Sequence, residues 1–428
     1  MISFDSFKFH DMFTMKFVPS KEAEKIILLR TPYNSQNYLV WAENLVKRLN
    51  SIVYIQDVRG RYQSNGEWIP YKNEEKDCFL LAEHVNKNNN KNLPVFVVGS
   101  SYEAYTARLT ALYLKNVGGV VLRVGVRSEY EAMYNNNSFR LSDRIWWMMT
   151  HGLNKESDYN TFQELLTNNP DIWKWSREEW CKFLDYPFLF SMVTKGVIPF
   201  PKCPVYIIGG WRDGYVDGSW RDYINWLSTN KNIIIGDWDH SLHSEEMKKV
   251  KEITWLKDHK DLSKSRYKIM SSNDWVINPK LNKDIITIEK NFSRSFFYSD
   301  GIESDYFGMP LINGVNSLNI PLKINEIGFY IGTPILEYRI NEKNNWYAQI
   351  IRKSNGNIEI LSTFILKPEN INSIGMPFAF FNDSMEIIEL RVSPCFHPIY
   401  YSPIVSKNYS IHIKNLTIYK KSGDKRGN

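Results

Sequence analysis

Cysteine is scarce in this chain of 428 residues, and its four cysteines, Cys78, Cys181, Cys203 and Cys395, stand far apart with no C-x-x-C pair among them. That spacing gives neither a zinc signature nor a disulfide framework, so no metal, no cofactor and a reducing compartment are expected. Long apolar runs are also missing. Asp5 and Lys8 break the first ten residues, which argues against a secretory leader, and no uncharged stretch is long enough to span a bilayer. No block of one charge stands out either. The net charge of +6 is spread along the chain without a groove-reading motif, so neither nucleic acid nor membrane is an expected partner. No repeat period is visible, and a cytoplasmic globular protein with room for two or three domains is the reading.

What the chain does contain is alternation. Lys25–Arg30 is a short apolar run closed by Thr31-Pro32-Tyr33-Asn34, after which Leu39, Val40, Ala42, Leu45 and Val46 share one helical face. Ile52–Gln56 is the next strand, and a helix over Asn73–Val85 is predicted with Phe79, Leu80, Ala82 and Val85 inward. Strand and helix recur over Val95–Leu114, and Gly119–Val124 is another buried strand. Continuous apolar strands alternating with helices predict a mostly parallel sheet covered on both faces.

From Glu129 to Pro199 the alternation stops. This stretch is helical and aromatic, with Trp146, Trp147, Trp173, Trp175 and Trp180, shows no strand of sheet type, and reads as a helical cap inserted over the sheet. Asn88–Asn90 and Asn135–Asn137 read as loops. The sheet resumes at Val205–Gly209, a helix with Trp220, Tyr223, Ile224 and Leu227 follows, and Asn232–Gly236 is expected to be the last parallel strand. A helix from Glu245 to Leu256 would then expose Lys248, Lys249 and Lys251 to solvent. Beyond Asp261, short alternating segments such as Ile285–Glu289, Trp346–Ile351 and Ile387–Val392 predict a β-sandwich of jelly-roll type. The expected organisation is an α/β catalytic domain over residues 1–128 and 200–260, a cap over 129–199 and a β domain over 261–428.

One turn organises the chemistry. The strand Val95–Val98 ends in Gly99-Ser100-Ser101, and a helical pattern starts at Tyr102, which puts Ser101 at the apex of a sharp strand-to-helix turn. Such a turn exposes a hydroxyl and aims the first free N–H groups of the helix at whatever that hydroxyl attacks. Gly-Ser-Ser is also ordinary loop and N-cap composition, so the remaining partners decide. Asp213 follows the strand Val205–Gly209, and His240 follows Ile233–Gly236. Serine, acid and histidine in that chain order, at the ends of sheet strands, mark an α/β-hydrolase. His240 would take the Ser101 proton and return it to the leaving group, while Asp213 would orient and stabilise the imidazole. Asp217, Asp237 and Asp239 are local alternatives for the acid, His243 for the base and Ser100 for the nucleophile. Asp213 and His240 are preferred because each follows its strand by only a few residues.

These residues lie in motifs that resemble the cocaine esterase and X-prolyl dipeptidyl aminopeptidase type (CocE/NonD-like) of α/β-hydrolase: Arg30-Thr-Pro-Tyr33, Gln56-Asp-Val-Arg-Gly60 with Ser64-Asn-Gly66, Gly99-Ser-Ser-Tyr102, Gly210-Trp-Arg-Asp213 and Ile235-Gly-Asp-Trp-Asp-His240. The resemblance implies Ser101 as nucleophile, Asp213 as acid and His240 as base, with an oxyanion hole made by the Tyr33 hydroxyl and the Tyr102 backbone N–H. The chain departs from that family at Ala104, where the family carries glycine, with Glu103 beside it. Tighter helix-to-strand packing is the expected result. Asp237 and Asp239 flank Trp238, which would set His240 in a more negative field.

The expected function is cleavage of an ester or amide bond of a small molecule or short peptide through an acyl-enzyme on Ser101. Trp146, Trp147 and Trp211 are the candidate pocket residues, because aromatic walls suit an apolar substrate group. The alternatives are acyl transfer or cyclisation in a tailoring enzyme, an X-prolyl dipeptidyl aminopeptidase, and a binding protein on a hydrolase frame. The small cap favours esterase or amidase over aminopeptidase, and homo-oligomer formation is left open.

Overall fold

The computed structural model describes residues 2–152, 164–165, 167–169, 172, 175–191, 198–242, 250, 252–258, 266–268, 275–277, 281–295, 302–303, 311–312, 317–324, 327–341, 345–354, 357–382, 387–394 and 408–421. Trp173, His243, Lys248, Lys249, Lys251 and Cys395 lie outside the described residues.

The chain opens with a hairpin of β1 (Ile2–Phe9) and β2 (Met12–Pro19), turned by His10 and Asp11 at φ of 46° and 68°. Then come β3 (Lys25–Thr31), α1 (Leu39–Leu49), β4 (Ser51–Asp57), α2 (Glu74–Asn88), β5 (Val95–Ser100), α3 (Tyr102–Tyr113) and β6 (Val117–Arg123). The cap contributes α4 (Glu129–Met133), a hairpin of β7 (Tyr134–Asn135) and β8 (Ser138–Phe139), α5 (Leu141–Trp147) and α6 (Arg177–Leu184). After it run β9 (Val205–Gly210), α7 (Val216–Asn225), β10 (Lys231–Gly236), α8 (Glu252–Lys257), β11 (Arg266–Lys268) and β12 (Trp275–Ile277).

Ten strands join in the order β1-β2-β4-β3-β5-β6-β9-β10-β11-β12, parallel from β4 through β11 and antiparallel at both edges. Every residue of β3 is buried, as expected of a strand covered on both faces. The order carries the α/β-hydrolase logic, since β5, β9 and β10 deliver their carboxyl ends to one rim. In the C-terminal part, antiparallel strands form a six-stranded sheet, which includes Leu281–Ser295, Gly328–Gly332 and Asn408–Lys421, and a four-stranded sheet, which includes Trp346–Ser354 and Ile387–Ser393. Leu336, Ile413 and Leu416 of one sheet and Trp346, Leu361 and Leu390 of the other share one buried cluster, the packing of a β-sandwich.

Several expectations change. β10 is not the last parallel strand, because β11 pairs with it in parallel and β12 closes the edge, so the large sheet continues beyond residue 261. The cap is not free of strand: Asn136 and Asn137, at φ of 46° and 63°, turn β7 into β8, and asparagine tolerates that left-handed backbone well. Phe79 is 40% exposed and Val40 74% exposed. In α2 the inner face is instead held by Asp77, Cys78, Leu81, Ala82 and Val85, because Asp77 turns inward to meet Arg30 and Arg59. Ile224 and Leu227 are likewise exposed. No described helix is long and apolar enough to cross a membrane.

Candidate active site

Ser101 sits between β5 and α3 with φ 55° and ψ −119°, a backbone that strains any residue but glycine. The surroundings hold it there. Its N–H donates to the Arg123 carbonyl on neighbouring β6 at 2.9 Å, and its carbonyl accepts the Ala104 N–H at 3.0 Å. Gly99 is required by the same turn, since a β-carbon there would stand 2.0 Å from the Glu103 carbonyl oxygen.

The loops after β9 and β10 bring the other two groups to this turn. His240 Nε2 lies 2.9 Å from Ser101 Oγ, and His240 Nδ1 lies 2.8 Å from Asp213 Oδ1. Asp213 is fully buried, and its Oδ1 also accepts the Tyr215 N–H at 3.1 Å. The His240 side chain is 38% exposed, so it is open to an incoming group. Desolvation alone would lower the imidazole pKa. The charge and hydrogen bond of Asp213 outweigh it, with the charge of Asp143 adding to them, and the net shift is upward from 6.5.

None of the rival acids has the same role. Asp217 pairs with Arg221, Asp237 with Arg212, and Asp239 accepts the Ser241 N–H. Ser100 donates its N–H to Glu103.

Tyr33 comes in from the loop after β3. Its hydroxyl lies near the Ser101 side chain and accepts from Trp147 Nε1 at 3.5 Å. The loop is fixed from below, by Ser35, which donates through N and Oγ to the two Asp57 oxygens at 2.7 and 3.0 Å, and by Arg61, which reaches the Pro32 carbonyl. Under the elbow, buried Arg30 meets Glu74, Asp77 and Gln56. Tyr102 opens α3, donates its hydroxyl to Glu74 at 2.9 Å and stacks on Trp147 with centroids 5.9 Å apart. The motif residues around positions 30 and 56–60 therefore act as struts for the loops that meet at Ser101.

Of the candidate pocket residues, Trp147 stands beside Tyr33 and Tyr102, and Trp146 packs against the same aromatic cluster with its ring 5.9 Å from His151. Trp211 does not join them. Its ring packs in the sheet core with Trp220 and Tyr267. Sequence reasoning missed the cluster of Asp143, Arg144 and Tyr215, in which Arg144 donates to Asp143 and to the Tyr215 hydroxyl while the Tyr215 ring lies 5.4 Å from His240. The available signal was an Asp-Arg pair embedded in an aromatic stretch. Among the described residues no group of three or more His, Cys, Asp or Glu is placed to hold a metal ion.

Comparison with known proteins agrees with this architecture. No curated protein sequence matches the chain. Among solved structures, a CocE/NonD family hydrolase from Staphylococcus aureus superposes with a TM-score of 0.67 over 98% of this chain and 93% of its own, at 13% identity. The Pyrococcus furiosus esterase Pf2001 matches 60% of this chain and 91% of its own at 15% identity and a TM-score of 0.38. The family model for X-Pro dipeptidyl-peptidases (S15 family) matches residues 16–242, more than half of the sequence. With the parallel sheet, the serine turn and that match in hand, the chain belongs to the X-Pro dipeptidyl-peptidase (S15) family of α/β-hydrolases.

Proposed function

We propose that the chain is a serine hydrolase that cleaves an ester or amide bond of a small molecule through an acyl-enzyme on Ser101. The observation that carries this reading is the continuous relay from Ser101 Oγ through His240 to Asp213, with separations of 2.9 and 2.8 Å. Ser101 Oγ attacks the substrate carbonyl carbon as His240 Nε2 takes its proton. Asp213 holds the Nδ1–H tautomer and balances the imidazolium. The carbonyl oxygen becomes an oxyanion that accepts hydrogen bonds from the Tyr33 hydroxyl and the Tyr102 N–H, and each such donor supplies about 3 kcal/mol of transition-state stabilisation. His240 returns the proton to the leaving group, and water, activated by the same imidazole, then releases the acid. Trp146 and Trp147 form the aromatic wall. The division of the chain that fits this reading best is a catalytic part of residues 1–128 and 200–277, a cap of 129–199 and a β-sandwich from 281 on.

The test is intact-mass labelling with a fluorophosphonate and an activated ester. One adduct on the wild type and none on Ser101→Ala supports the reading, and no wild-type adduct ends it. Product analysis with an added amine separates hydrolysis from acyl transfer.

Cleavage of a dipeptide from a free N-terminus is a second reading, favoured by Glu129. This half-buried carboxylate on the first turn of α4 makes no hydrogen bond or ion pair among the described residues, and desolvation raises its pKa to about 7. Its charge bears on the phenols of Tyr71, Tyr105 and Tyr186, and the Tyr71 ring lies 4.5 Å from that of Tyr102. A desolvated carboxylate among aromatic rings suits an ammonium group. Rates on an X-prolyl nitroanilide with a free and with an acetylated amine decide the matter. A preference for the free amine that Glu129→Gln abolishes supports the peptidase.

A further inference from the structure

Glu103, beside Ala104, is a buried carboxylate at the nucleophile turn that the relay itself leaves unexplained. It stands two residues after Ser101 and is only 2% exposed. A carboxylate is costly to bury unless donors surround it, so its partners carry the argument. Oε2 accepts the Ser100 N–H at 3.2 Å and Oε1 accepts the Tyr38 hydroxyl. Arg123, paired with Glu252, is a nearby positive charge.

These donors come from two places. Ser100 belongs to the elbow, whereas Tyr38 closes the loop that bears Tyr33. Glu103 thus joins the elbow to the far end of the Tyr33 loop through two hydrogen bonds.

We propose that Glu103 is a positioning residue that ties the Tyr33 loop to the nucleophile turn and so fixes the Tyr33 hydroxyl relative to Ser101 while charge builds on the substrate oxygen. This inference rests on the serine-hydrolase reading above. Without Glu103 the Tyr38 hydroxyl and the Ser100 N–H would lose their shared acceptor. The loop would then rely on its remaining contacts, among them those of Ser35 with Asp57, of Arg61 with Pro32 and of Asn37 with the Tyr33 carbonyl. Burial already holds the Tyr33 phenol in its protonated, donating form, and the charge of Glu103 adds to that.

The test is a double-mutant cycle on the full chain. Values of kcat and KM for p-nitrophenyl acetate, with thermal melting, are measured for Glu103→Gln and Glu103→Ala, each alone and combined with Tyr33→Phe. Glu103→Ala is expected to lower kcat about tenfold with KM unchanged, less than the ~10²–10³ lost when an oxyanion donor is removed outright. In the Tyr33→Phe background the same substitution should cost under about twofold, because the group it positions is gone. Glu103→Gln keeps the shape and part of the acceptor set, so it falls between, and it carries the test if the alanine variant does not fold. An equal loss of kcat in both backgrounds, or a lower melting temperature with kcat untouched, overturns the proposal. Fluorophosphonate labelling in parallel keeps the two readings apart: no wild-type adduct removes the serine mechanism, whereas an adduct with an additive cycle removes only the role of Glu103.

Discussion

Ala104 and Gly125 face each other behind the nucleophile turn, and a β-carbon built on Gly125 would stand 2.7 Å from the Ala104 methyl. The room that the family leaves at position 104 is left here on the opposite wall. Sequence alone suggested crowding at this helix start, and the missing side chain at 125 relieves it.

Gly125→Ala is therefore expected to destabilise the chain by roughly 1–3 kcal/mol, the usual range for overpacking. Adding Ala104→Gly should recover most of the loss. Urea unfolding of the two single variants and the double checks this, and simple additivity would remove the idea of a complementary pair.

The pH dependence follows from His240. In the proposed relay catalysis needs the neutral imidazole, and its pKa is held above 6.5 by Asp213 against the opposing effect of desolvation. Hydrolysis should therefore fall as pH drops through a value above 6.5. The stability term has the opposite window. The His240–Asp213 pair contributes fully below the unfolded pKa, and that contribution is lost as pH rises through the folded one. Asp213→Asn should move the acid limb of the residual activity to lower pH and reduce kcat by ~10⁴. Rate profiles and melting curves across pH measure both, and an unmoved limb would show that another group sets it.

Tyr33→Phe removes a single oxygen from the site. Its kcat is expected to drop ~10²–10³ with KM close to wild type, since the hydroxyl is called on mainly when the oxyanion forms. Steady-state kinetics with a thermal melt is sufficient, and a pure KM effect would assign Tyr33 to substrate binding instead.

Arg108 on α3 and Asp222 on α7 form an ion pair whose side chains are 0% and 3% exposed. Asp222→Ala strands a buried guanidinium and should cost about 3–5 kcal/mol, whereas Arg108→Met with Asp222→Leu should lie near wild type. Denaturant midpoints compare them. A mild effect of Asp222→Ala would mean that water reaches the pair.

The parallel core and the meeting of Ser101, Asp213 and His240 are legible because each rests on a local signal: apolar runs of strand length, and polar residues placed just after them. What escaped the reading depends on distant partners. Phe79 was assigned inward by periodicity, yet Asp77 takes the inner face because two arginines from β3 and from the loop after β4 reach it. Trp211 adjoins the acid loop in sequence, but its ring turns into the core. The hairpin β1–β2 mixes exposed and buried residues without a clean alternation, so no strand was expected there. Glu103 stands in the sequence as an oddity beside Ala104, and only the folded loops bring the Tyr38 hydroxyl and the Ser100 N–H to it.

Arg212, the immediate neighbour of the acid, grips Asp237 at 2.9 Å on one side and Glu359 of the second β-sheet unit at 3.1 Å on the other. The far half of the polypeptide is thus a splint for the loop that aims the imidazole. A version trimmed before the strand Asn357–Leu366 would forfeit one of the two clasps beside Asp213.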